Sequence, residues 1–122
     1  MAVLVPGGRT SIGSISGMSV ASAQFNTGPN KGRSGSITSF AGSSNLHIQS
    51  WVTDKDGNEV PHSRVGASGG ATSPQILFNG KSDLCQLDTN AIYTVNVSQV
   101  EPPQDGGPFG IDCDYNQPRP PK

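Results

Sequence analysis

The clearest alternation of apolar and polar positions lies at residues 46–52. Leu46, Ile48, Ser50 and Val52 fall on one strand face, and His47, Gln49 and Trp51 on the other. Thr53-Asp54-Lys55-Asp56-Gly57-Asn58 follows, then Glu59, Val60, Pro61 and Val65. Asp-Gly between two strand-like runs predicts a hairpin, because glycine accepts the positive φ of a tight turn. Pro61 cannot donate to a ladder, so the returning strand is expected at an edge or bulged. A second strong alternation runs from Ala91 to Val100, with Tyr93, Val95 and Val97 on the face expected to be buried. Gln75 to Phe78 reads as a short apolar strand ended by Asn79-Gly80, Leu84 to Leu87 as another, and Phe109 to Tyr115 as a last one.

Residues 1–45 show no such pattern. Ile12, Ile15, Met18, Val20, Phe25, Ile37 and Phe40 stand singly among Gly and Ser. The spacing of Ile12, Ile15 and Met18 suits a helix, but Gly13 and Gly17 oppose one. The stretch therefore reads as an extended Gly/Ser-rich arm with one strand near Ser16–Phe25, either flexible or laid across a neighbouring copy. The expected organisation is an arm over 1–45, a core over 46–116 and a Pro-rich tail over 117–122. Five to seven short strands with turns between them make the chain all-β, a small β-sandwich or partly open barrel.

Composition agrees with this class. The 122 residues include 16 Gly, 10 Pro and 16 Ser, and hydrophobic residues make up 32%. Gly costs about 1 kcal/mol and Pro about 3 kcal/mol against Ala inside a helix, which excludes a helical bundle. No apolar run is long enough to insert in a membrane as a helix.

Trp51-Val52-Thr53-Asp54-Lys55-Asp56-Gly57-Asn58-Glu59-Val60-Pro61 resembles the strand–turn–strand of bacterial and phage immunoglobulin-like domains. Tyr93-Thr94-Val95-Asn96-Val97 is similar to their closing strand. The resemblance covers parts of 46–65 and 91–97, and the first 45 residues fit none of it. It implies a spacer or adhesive module on a bacterial surface or phage particle, with no active site.

Net charge is −1, but unevenly placed: residues 1–81 carry +3 and residues 82–122 carry −4. Opposed halves suit neighbouring copies meeting basic end to acidic end. Eight basic residues in no cluster exclude a nucleic-acid footprint. Cys85 and Cys113 match no zinc spacing. As a disulfide they would close a loop of about 28 residues and contribute roughly 3–4 kcal/mol. That would place the protein in an oxidising or extracellular setting; as free thiols they say nothing of compartment. Met-Ala-Val-Leu-Val runs straight into Pro6-Gly7-Gly8, unlike a classical signal peptide. Either a leader has been removed or the protein leaves the cell by another route, release within a virus particle being one.

Candidate chemistry is sparse. Asp54-x-Asp56-Gly57-Asn58 has carboxylates but not the calcium-loop spacing, and a hairpin turn explains it. Asp112 and Asp114 share a strand face and could hold a cation, with Glu101 and Asp105 upstream, or face solvent. Cys85 with His47 or His62 is a formal nucleophile–base pair without supporting spacing. Asn96-Val97-Ser98 spells a glycosylation sequon inside a strand. Trp51, Tyr93 and Tyr115 are the aromatic residues that could stack on a ligand, with Trp51 and Tyr115 the two candidates for a binding site, though a lone Trp in a sandwich also serves as core. Nothing calls for a cofactor or an enzyme.

Two functions remain. The first is a non-enzymatic structural or assembly protein of an extracellular particle or surface: virion decoration, tail component or filament subunit. Its arm residues Ile12, Ile15, Met18 and Phe25 would contact other copies or particle proteins. The second is a carbohydrate- or protein-binding immunoglobulin-like module that meets a surface glycan through Trp51 and Tyr115.

Overall fold

The computed structural model describes residues 2–4, 9–27, 35–42, 46–79, 81–100 and 106–114. These form eight strands: β1 (Ala2–Val3), β2 (Arg9–Ile15), β3 (Ala21–Asn26), β4 (Gly35–Ala41), β5 (Ile48–Thr53), β6 (Gln75–Phe78), β7 (Ile92–Gln99) and β8 (Gly107–Asp114). One sheet has the order β1-β3-β7-β5 and the other β2-β8-β4-β6. All strand pairs are antiparallel except β1 with β3. This is a small all-β sandwich.

Alternation builds its core. On β5, Ile48, Ser50 and Val52 point inward and are buried, while Gln49, Trp51 and Thr53 face out. On β7, Tyr93, Val95, Val97 and Gln99 point inward. Ile37, Ile76, Phe78, Phe109 and Ile111 of the other sheet join the same apolar cluster. Phe25 and Tyr93 stack with ring centroids 5.9 Å apart. Each such side chain taken from water contributes about 1.5–3 kcal/mol.

The arm expected over residues 1–45 is not what the described residues form. They supply β2, β3 and β4, and both sheets are incomplete without them. Ile15 and Phe25, offered as assembly residues, are 2% and 1% exposed in the core. Single apolar residues among Gly and Ser suffice here because alternate positions of a strand share one face, and Ser and Ala fill the rest. Met18 is exposed, in the crossing from β2 to β3 where Ser19 N donates to Ser16 O. Ile12 lies in β2, and its side chain is outside the described residues. The Pro-rich tail is also outside them.

The expected disulfide is absent: Cys85 is a free, buried thiol. The sheet explains why. Cys113 of β8 sits opposite Ile37 of β4, β4 pairs with β6, and Cys85 bridges Phe78 on the far side of β6. Three strand spacings separate the two cysteines, roughly 14 Å. A disulfide needs α-carbons within about 7 Å. The inference of an oxidising compartment goes with the bridge.

The hairpin also closes differently. Thr53 bridges Glu59, but no strand returns along β5. Residues 59–71 touch it only at intervals, bridging Ser50 to Val65 and Ile48 to Ala71. Beyond Pro61, His62 takes a φ of 64°, and Val60–Ser63 makes a turn closed by Ser63 N on Val60 O at 3.2 Å. Proline second and positive φ third are the requirements of a type II turn, which breaks a ladder. The predicted strand over Leu84–Leu87 reduces to the single bridge at Cys85.

Candidate functional site

The residues after β5 make one wall of a cleft at the end of the sandwich. Asp54 organises them. Its N–H donates to Asn58 O at 2.9 Å, its carbonyl accepts from Gly57 N at 3.0 Å, and its Oδ1 accepts from the N–H groups of Asp56 and Asn58. The carboxylate of the calcium-like run thus caps its own turn.

The residues before β7 make the opposite wall. Asp88 N donates to Tyr93 Oη at 2.8 Å, and Thr27 Oγ1 donates to Asp88 O at 2.5 Å. Ala91 N donates to Thr27 Oγ1, and Thr27 N to Ala91 O. Asn90 supplies the positive φ, 52°, that turns the chain into β7. Burial holds the Tyr93 phenol above the ordinary tyrosine range, so it stays neutral and accepts the Asp88 amide.

Between the walls lies a space of about 590 Å³, within the range of ligand clefts. Val60, Pro61, Ala91, Ile92 and Tyr93 give it an apolar side. Asp54, Asp56, Glu59 and Asp88 give it four carboxylates beside the ammonium of Lys55, with Glu59 paired to Arg64 and the other three leaving a net negative charge. Ile92 is 54% exposed here, a large apolar side chain left in solvent. The cleft therefore offers apolar contact beside negative potential.

Trp51 stands outside the core, because the parity that buries Ile48, Ser50 and Val52 turns it outward. It is not an open stacking platform. The Arg64 guanidinium lies 4.1 Å from its ring centroid. Arg64 also donates to both Glu59 oxygens, at 2.6 and 3.2 Å, and to Gln49 Oε1 at 2.9 Å. The hydrogen bond from Arg64 holds the Glu59 carboxyl below the ordinary glutamate range. Tyr115, the other proposed stacking residue, lies outside the described residues.

The remaining candidates are not brought together. Asp112 is half-buried on β8; the side chain of Asp114, and all of Glu101 and Asp105, lie outside the described residues. Among the described residues no three His, Cys, Asp or Glu side chains gather as a metal would require. Burial pushes the Cys85 thiol up to about 11, the opposite of an activated nucleophile. Asn96 is 7% exposed, and its Nδ2 donates to Thr53 Oγ1 at 3.1 Å, so the sequon is held inside the folded sheet.

Sequence reasoning missed the cleft. No local signal says that the turn at Asp54–Asn58 meets Asp88–Asn90, 30 residues further on, at one end of the sandwich.

Comparison with protein-family models finds no match, and neither does comparison with curated proteins. Solved structures do resemble the chain. The pre-peptidase C-terminal domain of a collagenase from Bacillus anthracis is 13% identical, with a TM-score of 0.59 and 93% of each chain covered. The Yersinia pseudotuberculosis-derived mitogen is 10% identical, with a TM-score of 0.55, covering 95% of this chain and 92% of that one. At such identities the likeness shows the fold alone: a small all-β domain. Neither supports the finer resemblance to immunoglobulin-like or phage domains.

Proposed function

We infer that this chain is a non-enzymatic binding module whose contact site is the end cleft. The observation that carries this is the cleft's lining: an apolar side closed by Ile92 and Tyr93 beside four carboxylates, with both walls fixed by hydrogen bonds. Preorganised walls reduce the ordering cost of binding. The matching ligand is a protein segment presenting a lysine or arginine next to an apolar side chain. Its cation meets Asp56 and Asp88, whose carboxylates have no role in the turns, and its apolar part covers Ile92.

The assembly reading is set second. Of its grounds, the uneven charge stands but the long arm does not, since the described residues of that arm form strands of the sandwich. The glycan reading through Trp51 is also weaker, since Arg64 already covers the ring.

Titration calorimetry with the blocked peptide Ala-Lys-Leu-Ala tests the proposal. Binding should weaken as salt rises, and should fall roughly tenfold, about 1.4 kcal/mol, in the Asp56→Asn/Asp88→Asn double variant. Equal binding by a peptide with norleucine in place of lysine, or no binding at all, would overturn it.

A further inference from the structure

β5 is the edge strand of its sheet. Its sequence, Ile-Gln-Ser-Trp-Val-Thr, carries no charge, proline or glycine and is rich in β-formers. Such a six-residue segment on a free edge would pair readily with another strand, above all with itself. Here the edge is occupied. Ile48 exchanges both backbone bonds with Ala71, and Ser50 both with Val65, each at 2.9 Å. Val60 N donates to Val52 O, and Val52 N donates to the buried Ser63 hydroxyl.

The segment doing this is not a strand. Six residues separate Glu59 from Val65 where their partners Thr53 and Ser50 are three apart. Six more separate Val65 from Ala71 where Ser50 and Ile48 are two apart. Pro61 and positive φ at His62, Gly66, Gly69 and Gly70 keep the slack from becoming a ladder. The segment thus satisfies the edge without presenting a new one. Side chains fix it to β5 from both faces: inside, the Ser63 hydroxyl accepts from Val52 N; outside, Arg64 lies on Trp51 and donates to Gln49, and is itself held by Glu59 of the same segment.

We propose that residues 59–71 are a latched edge guard that keeps the protein monomeric, and that release of the Arg64 latch lets β5 pair with β5 of a second copy. Two uncharged β5 strands meet without repulsion, in a contact that a two-fold axis makes self-complementary.

The test uses the full chain and two readouts: light-scattering mass against concentration, and amide exchange at Ile48, Ser50 and Val52. The wild type should stay at 12.6 kDa with these amides protected. Arg64→Ala should expose them in dilute solution and double the mass as concentration rises. Adding Gln49→Lys, a charge on the pairing strand, should return it to monomer. Arg64→Gln, which removes the cation from over Trp51 but keeps side-chain bulk, is read the same way and replaces Arg64→Ala if that variant fails to fold. The proposal is overturned if the latch variants keep wild-type protection, if they open yet remain monomeric, or if the wild type already pairs through β5.

Discussion

The guanidinium of Arg64 sits 4.1 Å from the centre of the Trp51 ring, and its other side binds Glu59. Residues thirteen apart in the chain are joined by a contact that spans the guard and the sheet it covers. The pair with Glu59 titrates. Glu59 is held lower folded than unfolded, so its contribution is present at neutral pH and is lost as pH falls through the folded value. The groups are largely solvated, so the effect is small, about 0.2–1 kcal/mol. The stability difference between wild type and Glu59→Gln should shrink to nothing below the glutamate range. A difference unchanged in acid would show that the ion pair contributes nothing.

Two buried serines should respond with opposite signs. Ser63 accepts from Val52 N and donates to Val60 O at 2.7 Å, in a site without water access. Ser63→Ala strands a buried N–H and should cost about 1–3 kcal/mol. Ser39 and Ser50 bury hydroxyls that have no partner among the described residues. Ser50→Ala removes that desolvation cost and should raise stability by up to about 1 kcal/mol. Urea unfolding of the variants reads both effects; a destabilised Ser50→Ala would contradict the packing described.

Gly66 shows why the guard can lie so close to β5. Its φ is +79°, and a β-carbon there would stand 2.7 Å from the Ile48 carbonyl oxygen. Gly66→Ala combines backbone strain with a clash against main chain and should cost about 2–4 kcal/mol. Faster exchange at the Ile48 and Ser50 amides should accompany it. A neutral substitution would mean the guard does not rest where it is placed.

Much of the sandwich was legible. The alternation at 48–53 and 92–99, and the short run 75–78, are β5, β7 and β6 nearly residue for residue, because their periodicity is local. What was not legible depends on distance. Ile15, Phe25 and Ile37 look isolated in sequence, and only pairing with β8 and β7 shows them as one core. The cysteines looked bridgeable because loop length says nothing of which strands intervene. Trp51 was placed by parity, yet its cover comes from Arg64, which no pattern around position 64 announces.

Alkaline stability should report on Cys85. Burial raises its thiol to about 11, while an exposed thiol ionises near 8.5. Above that lower value the unfolded chain loses its proton first. Stability is therefore full below it and falls by at most about 1.4 kcal/mol per pH unit until the folded value is reached. Urea midpoints measured from neutral to alkaline pH should show this slope in wild type and a shallower one in Cys85→Ala. Equal slopes would place the thiol in solvent.

The cleft is the centre of the account, and an amide NMR titration of the nitrogen-labelled chain with the blocked Ala-Lys-Leu-Ala peptide tests it most directly. The account predicts salt-sensitive shifts confined to residues 54–61 and 86–93, with the outer face around Gln49 and Ser98 unmoved. Shifts centred on that outer face, or none at either end, would contradict it.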